Sequence, residues 1–271
     1  MPELPEVETI RLQLEEKIKN KKIKKVEVLQ PRMINLSAKE FIKRVEKSKV
    51  KNIRRRAKLL IIDLSSNYSL IIHLKLTGLL IYHQEPDKHT NVVFEFSDGK
   101  KLLYKDLRKF GWMKLIKTTE IPAFLEKEKF GPEPLSKDFT LEKFKEILSE
   151  KKRSKIKPLL MDQSFLAGVG NVYSQEACFL AKTDPRRQAG SLTEREIKDL
   201  YNHLRKILAA SIKYRGSSVD TYLDIFGKKG KFEYHLKVYR KGGEKCPRCG
   251  AKLKTIRLGG RGTTFCPKCQ K

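Results

Sequence analysis

Four of the five cysteines stand in two Cys-x-x-Cys pairs, Cys246-Pro-Arg-Cys249 and Cys266-Pro-Lys-Cys269, with residues 250–265 between them. Thiolates at that spacing close a tetrahedral zinc site on two turns, and the intervening span suits a β-hairpin. Four sulfur ligands leave no open coordination position, so the metal is structural and the module's task lies in what its hairpin presents. That hairpin carries Arg257 and Arg261 among Gly259, Gly260 and Gly262. Backbone freed by glycine permits close approach to phosphates or entry into a groove. The plainer alternative is that Arg261 is a solvated turn residue. The fifth cysteine, Cys178, lies in the apolar run Ala177–Ala181 and is expected in the core.

The chain has 60 Lys+Arg against 32 Asp+Glu, a formal net charge of +28 over 271 residues. Such an excess points to a polyanionic partner, with nucleic acid first, since phosphate neutralisation needs many distributed cations. A membrane-surface role calls for a basic amphipathic helix, and none dominates. A thermophile's surface raises Glu together with Lys, whereas the balance here is one-sided. Apolar runs such as Leu59-Leu60-Ile61-Ile62 are too short to span a bilayer, and the first twenty residues are acidic and amphipathic rather than signal-like. Cysteines with metal spacing fit a reducing compartment. A soluble cytoplasmic protein is expected, with one large or two medium domains, and its 39% hydrophobic content suffices for real cores.

Texture changes along the chain. A helix is expected from Pro5, with Val7, Ile10, Leu14 and Ile18 on one face. Strand signals follow at 23–29, 59–64, 70–74, 92–96, 101–104 and 112–116, with Ser97-Asp98-Gly99 as a hairpin turn. One helix followed by short strands suggests a β-sandwich or barrel. Gly131-Pro-Glu-Pro-Leu135 reads as a linker, after which 139–148, 155–161, 172–180 and 193–212 read as helices. A Gly- and Lys-rich stretch from Arg215 to Tyr239 leads to the metal module.

Three short segments suggest chemistry. In Met1-Pro2-Glu3-Leu4-Pro5-Glu6, removal of one methionine leaves a secondary amine with a pKa near roughly 8, partly neutral at physiological pH. Such an amine attacks an aldehyde-like carbon to give a cationic iminium, and Glu3 and Glu6 stand ready to shuttle protons. The plainer reading is that the prolines set up a helix. Gly168-Val-Gly-Asn171 precedes a helix, so a phosphate can sit at its N-terminus, although a tight helix connection explains the glycines as well. Arg54-Arg55-Arg56-Ala57-Lys58 runs into a strand, where alternation puts Arg54, Arg56 and Lys58 on one face; a solvated charge run is the default.

The residues together resemble the bacterial formamidopyrimidine-DNA glycosylases, base-excision enzymes for oxidised purines. The resemblance covers nearly the whole chain. It rests on Met1–Thr9, Arg55–Lys58, His73-Leu-Lys-Leu-Thr-Gly78, Asp106-Leu-Arg-Lys-Phe-Gly111, Gly131–Leu135, Ile156–Asp162, Gly168–Asn171 and the four-cysteine finger. Leu4 is similar to this branch rather than to its endonuclease VIII relatives, which carry glycine there. The resemblance implies an α+β fold: an N-terminal helix plus β-sandwich domain (1–131), a helix-two-turns-helix domain (132–216), a flexible lesion-covering loop and connector (217–240), and the zinc finger (241–271).

By the same resemblance Pro2 is the nucleophile, Glu3 the proton-transfer group, and Lys58 the catalytic lysine near a phosphate, with Glu6 in the lesion pocket. His89, Arg108, Lys157, Asn171 and Arg261 are the DNA contacts. Leu76, Arg108 and Phe110 fill the void left by the extruded base, and Arg108 reads the cytosine opposite. Leu76 stands where methionine is usual, Leu107 where proline is, and Lys109 where arginine is. The implied partner is duplex DNA bearing 8-oxoguanine or formamidopyrimidines opposite cytosine, bound by a monomer with one structural zinc ion, followed by β,δ-elimination at the abasic site. A non-catalytic damaged-DNA-binding protein and an RNA-binding zinc protein are the competing classes; neither needs Pro2, Glu3 and Lys58 together.

Overall fold

The structure, a computed structural model, describes residues 1–271, which divide into two compact units: Met1–Glu128 with Tyr214–Glu233, and Lys129–Lys213 with Tyr234–Lys271. The first unit opens with α1 (Leu4–Ile18), followed by β1 (Ile23–Val28), α2 (Ala38–Val45), β2 (Val50–Arg56), β3 (Leu59–Leu64), β4 (Tyr68–His73), β5 (Gly78–Tyr82), β6 (Thr90–Phe96), β7 (Lys101–Asp106), β8 (Trp112–Lys117) and α3 (Ile121–Lys127). The strands form two antiparallel four-stranded sheets, ordered β1-β6-β7-β5 and β2-β3-β4-β8.

Alternation explains the layering. Val92, Phe94 and Phe96 enter the main core with Leu60, Ile62, Leu70 and Ile72 of the other sheet, whereas Val93, with Ile81 and Leu103, forms a separate apolar cluster. Successive side chains on a strand face opposite ways, so one register serves both clusters. Helix α1 adds Val7, Ile10, Leu14 and Ile18 to the main core, as its periodicity requires. It starts one residue earlier than expected, at Leu4, because Glu3 and Glu6 form a reciprocal capping box.

In the second unit, α4 (Leu141–Glu150), α5 (Ile156–Met161), α6 (Asn171–Leu180) and α7 (Glu194–Lys213) precede the hairpin β9 (Lys254–Leu258) and β10 (Arg261–Phe265). Phe139, Phe144, Phe165 and Tyr201 form an aromatic cluster, with Phe139 edge-on to Phe144 and the other ring pairs tilted. The Gly131–Leu135 segment, expected as a linker, is instead docked within this unit. Gly131 N–H donates to Gln163 O, Ala167 N–H to Pro132 O, and the Arg205 guanidinium to Pro134 O. A Cβ at Gly131 would lie 2.5 Å from the carbonyl oxygens of Ser164 and Phe165, so close backbone approach demands glycine there.

The stretch from Tyr214 to Glu233 belongs to the first unit. Its composition suggests mobility, yet Tyr222 and Ile225 lie in the main core, Asp224 is fully buried against Arg215 and Gln13, and Ile225 O accepts from Tyr82 N–H. Charge and glycine hid these anchors. Exposed side chains remain at Asp220, Thr221, Phe226, Lys228 and Lys229.

Candidate active site and nucleic-acid contacts

The N-terminal end of α1 is buried: Pro2 is out of solvent, Glu3 is 2% exposed and Glu6 3%. The Glu6 carboxylate accepts from two backbone N–H groups, Glu3 at 2.9 Å and Ser217 at 2.8 Å. It thereby holds the helix start against the 216–218 segment. Gly216, at φ +79°, lies so close that a Cβ would come 2.9 Å from Glu6 Oε1. Any larger residue there would displace Glu6.

Lys58 is 7% exposed at the β2–β3 turn. The expected alternation through Arg54, Arg56 and Lys58 fails because pairing ends at Arg56–Leu59 and Ala57 turns through φ 53°. That left-handed residue takes Lys58 out of the strand and directs it independently. Nor is the run a free cationic edge. Arg54 makes a two-point contact with Asp63 and Arg55 pairs with Glu8 of α1 at 2.8 Å. The Arg55–Glu8 pair draws the hairpin that carries Lys58 against the helix that begins at the buried N-terminus.

His73 is a functional candidate that the sequence reading passed over, although it opens one of the motifs quoted above. Its Nδ1 accepts from Lys75 N–H at 2.9 Å, which assigns the ring proton to Nε2. Burial, then the charges of Lys75 and Lys58, push its pKa down to about 3. The ring is a neutral donor beside Lys58.

Residues 106–111 and the 74–78 turn carry the void-filling candidates. Leu76 is half-buried, Phe110 is 53% exposed, and the Arg108 guanidinium stacks 4.7 Å above the Phe110 ring. Leu107 is 61% exposed on the same loop and Lys109 sits at φ 55°. Half-buried His89 joins them through its carbonyl, which accepts from Asp106 N–H.

In the second unit, Lys157 is fully buried and donates to Asn171 Oδ1 at 2.6 Å. Its ammonium therefore orients Asn171 rather than facing solvent. Gln175 bridges Asn171 O, Gly262 O and Thr264 N–H, tying the first turn of α6 to β10. Leu258–Arg261 turns through Gly259 and Gly260, both at positive φ, and leaves Arg261 exposed. Such a two-residue turn needs glycine-like freedom at both positions. A cleft of about 440 Å³ lies among Asn171, Gln175, Tyr239, Arg240 and Thr264. Glu176, buried, accepts backbone N–H groups of Lys237, Val238 and Tyr239 at 2.8 Å each and so fixes the chain entering that cleft. Burial pushes its pKa up against those three donors.

The sulfur atoms of Cys246, Cys249, Cys266 and Cys269 all lie within 4.8 Å of one another, and two of the pairs are 3.5 and 3.9 Å apart. A tetrahedron with Zn–S bonds of about 2.3 Å has S–S edges of about 3.8 Å. Backbone N–H groups of Arg248 and Cys269 point at Cys246 and Cys266 sulfur, as metal-bound thiolates prefer. The set fits one structural zinc ion.

Three family models match in order: formamidopyrimidine-DNA glycosylase N-terminal domain (1–113), the H2TH domain of the same glycosylases (130–222), and the zinc finger found in FPG and IleRS (243–271). The formamidopyrimidine-DNA glycosylase of Pelotomaculum thermopropionicum is 42% identical, covering 100% of this chain and 99% of its own. The chain belongs to the formamidopyrimidine-DNA glycosylase family. Among solved structures, a Lactococcus lactis Fpg variant in complex with a Fapy-dG-containing DNA matches with TM-score 0.93 and 39% identity over 100% of both chains. MutM in complex with carbocyclic 8-oxo-G-containing DNA matches with TM-score 0.92 and 39% identity, again over both chains entire. The protein is thus a DNA-repair glycosylase with AP lyase activity, holding one structural zinc ion in its finger.

The zinc-finger match includes exposed Arg261 of β10, and the H2TH match includes half-buried Asn171 at the start of α6. Asp106, Gln175 and Glu176 escaped the sequence reading. Each is a buried polar residue: Glu176 binds backbone groups some sixty residues away, Gln175 reaches β10, and Asp106 binds the Thr77 hydroxyl and the nearby backbone of Arg108 and Gly111; only Asp106 stands in a motif the sequence singled out.

Proposed function

We propose that this glycosylase excises 8-oxoguanine and ring-opened formamidopyrimidines opposite cytosine in duplex DNA and then cleaves the abasic site through an iminium on Pro2. The observation that carries the reading is the buried Pro2–Glu3 end, held by Glu6 beside the hairpin of Lys58. Recognition alone needs no such end. With Met1 removed, the Pro2 nitrogen bonds to C1′ while the glycosidic bond breaks, and the base leaves carrying the proton that the amine gives up. Opening of the sugar takes a proton from Glu3 to O4′ and leaves the iminium. Loss of a C2′ proton then expels the 3′-phosphate, and a second elimination expels the 5′-phosphate. Water finally releases the amine.

Lys58, with neutral His73 beside it, holds a phosphate near the lesion. Asn171, positioned by Lys157, and Arg261 grip further phosphates, and His89 and Arg108 contact the DNA. Leu76, Arg108 and Phe110 occupy the gap left by the extruded base, a step costing a few kcal/mol of unstacking. Arg108 selects cytosine on the other strand. Residues 217–240 cover the flipped base and connect to the finger at 241–271, while 1–131 and 132–216 supply chemistry and grip. The enzyme acts as a monomer on chromosomal DNA in the cytoplasm. Zinc supplies no chemistry; it closes the finger so that Arg261 is presented.

Incision of an end-labelled duplex tests this. A one-nucleotide gap with phosphate at both ends, formed faster opposite cytosine than opposite adenine, is expected. Undamaged strands cut at the same rate, or a product with an intact abasic site, would overturn it.

A further inference from the structure

The carboxylate of Asp106 has no step in the chemistry above, yet it is fully buried and saturated with donors. It ends β7, opposite Gly78 of β5. Its Oδ1 accepts from the Thr77 hydroxyl at 2.5 Å and from Arg108 N–H at 3.1 Å, and its Oδ2 accepts from Gly111 N–H at 2.7 Å. Arg108 N–H is shared with Thr77 Oγ1, also at 3.1 Å. Thr77 directly follows Leu76, and Gly111 directly follows Phe110. One carboxylate therefore fixes both ends of the loop that bears Arg108 and Phe110 and ties that loop to the turn that bears Leu76. Gly111 is packed in so closely that a Cβ would lie 2.3 Å from the Tyr104 hydroxyl and 2.9 Å from Asp106 Oδ2.

We propose that Asp106 is a positioning residue that holds Leu76, Arg108 and Phe110 as a single preformed wedge, and so sets the preference for the base opposite the lesion. The proposal rests on reading those three side chains as the void-filling set. The loop exposes Leu107 and Phe110 by more than half, and ordering exposed side chains on binding costs entropy that a preformed loop avoids. Charge-assisted hydrogen bonds to a buried carboxylate are the strong kind, so the clamp resists the strain of insertion. Reading the opposite base needs Arg108 in one register, and its own backbone N–H is one of the clamped groups.

The test is single-turnover excision of 8-oxoguanine opposite cytosine and opposite adenine, with lyase turnover at a preformed abasic site, for native enzyme, Thr77→Val and Asp106→Asn. Thr77→Val keeps volume and deletes only the link between the two segments. Asp106→Asn keeps shape and sets an amide donor against a backbone donor. The expected result is a fall of about tenfold or more in excision opposite cytosine, one decade being ~1.4 kcal/mol of barrier. The cytosine-over-adenine preference should shrink at least about fivefold, while lyase turnover changes less than about threefold, since an abasic nucleotide has no base to unstack. Equal losses in all three rates, or an unchanged base preference, would overturn the proposal. Should Asp106→Asn fail to fold by circular dichroism, Thr77→Val decides alone. If the native enzyme leaves 8-oxoguanine intact, the substrate reading has failed, and this proposal falls with it.

Discussion

At the scale of single residues, the site works by burial. His73 is held neutral because desolvation and two lysines oppose its charge, with a pKa about 3 against 6.5 when free. A group whose folded pKa is depressed contributes stability that is present above its unfolded pKa and is lost as pH falls toward the folded one. Melting temperature should therefore decline as pH drops below about 6.5, where the unfolded chain binds a proton that the folded chain refuses. His73→Asn should flatten that acid limb, measured by thermal melts from pH 7.5 to 4. A limb of unchanged slope would mean the ring is not held neutral. Lys157 offers a second case. Its buried ammonium reaches only inward, to Asn171 among others. Lys157→Met should weaken binding to lesion and undamaged duplexes alike by about tenfold, ~1.4 kcal/mol, while excision at saturating enzyme holds. A selective loss on lesion duplex would instead favour contact at the damaged nucleotide.

At the scale of elements, legibility followed the source of each element's stability. Helix α1, the strands with apolar runs and the long α7 were readable because periodicity alone specifies them. The eight-residue α2 was not, although Ser37 caps it by accepting from Glu40 N–H, a pattern visible in the sequence. Strand β5, Gly-Leu-Leu-Ile-Tyr, has no alternation because four of its five residues are buried, although it is an edge strand that pairs with β7 alone. The zinc hairpin was legible, since cysteine spacing encodes it. The turn at Ala57–Lys58 was not, because an alanine at positive φ carries no sequence signal and is held by its hairpin. The buried clamps were invisible because a lone acidic residue does not announce its partners: Glu176 binds backbone more than sixty residues away, and Asp106 joins its own loop to the Thr77 hydroxyl of a separate turn. Gly111→Ala should cost about 1–3 kcal/mol by overpacking, read as a lowered melting temperature. A neutral outcome would show that the 106–111 loop relaxes freely.

At the scale of the molecule, a formal charge of +28 means that binding should weaken steeply with salt. Arg261→Ala should reduce the slope of log affinity against log salt by about one, the signature of one phosphate contact. An unchanged slope would leave Arg261 as a solvated turn residue. Stripping zinc should unmake the finger and weaken lesion-duplex binding at least about tenfold, with recovery on adding zinc back, because such small modules fold with their metal. The proposed covalent chemistry belongs to an N-terminal secondary amine. Borohydride trapping on a duplex carrying 8-oxoguanine opposite cytosine tests it most directly, using protein shown by intact mass to lack Met1. The expected product is a covalent complex whose peptide map places the DNA on Pro2, abolished in Pro2→Gly and reduced in Glu3→Gln. A complex mapped to Lys58, or tight lesion binding with no adduct at all, would contradict it.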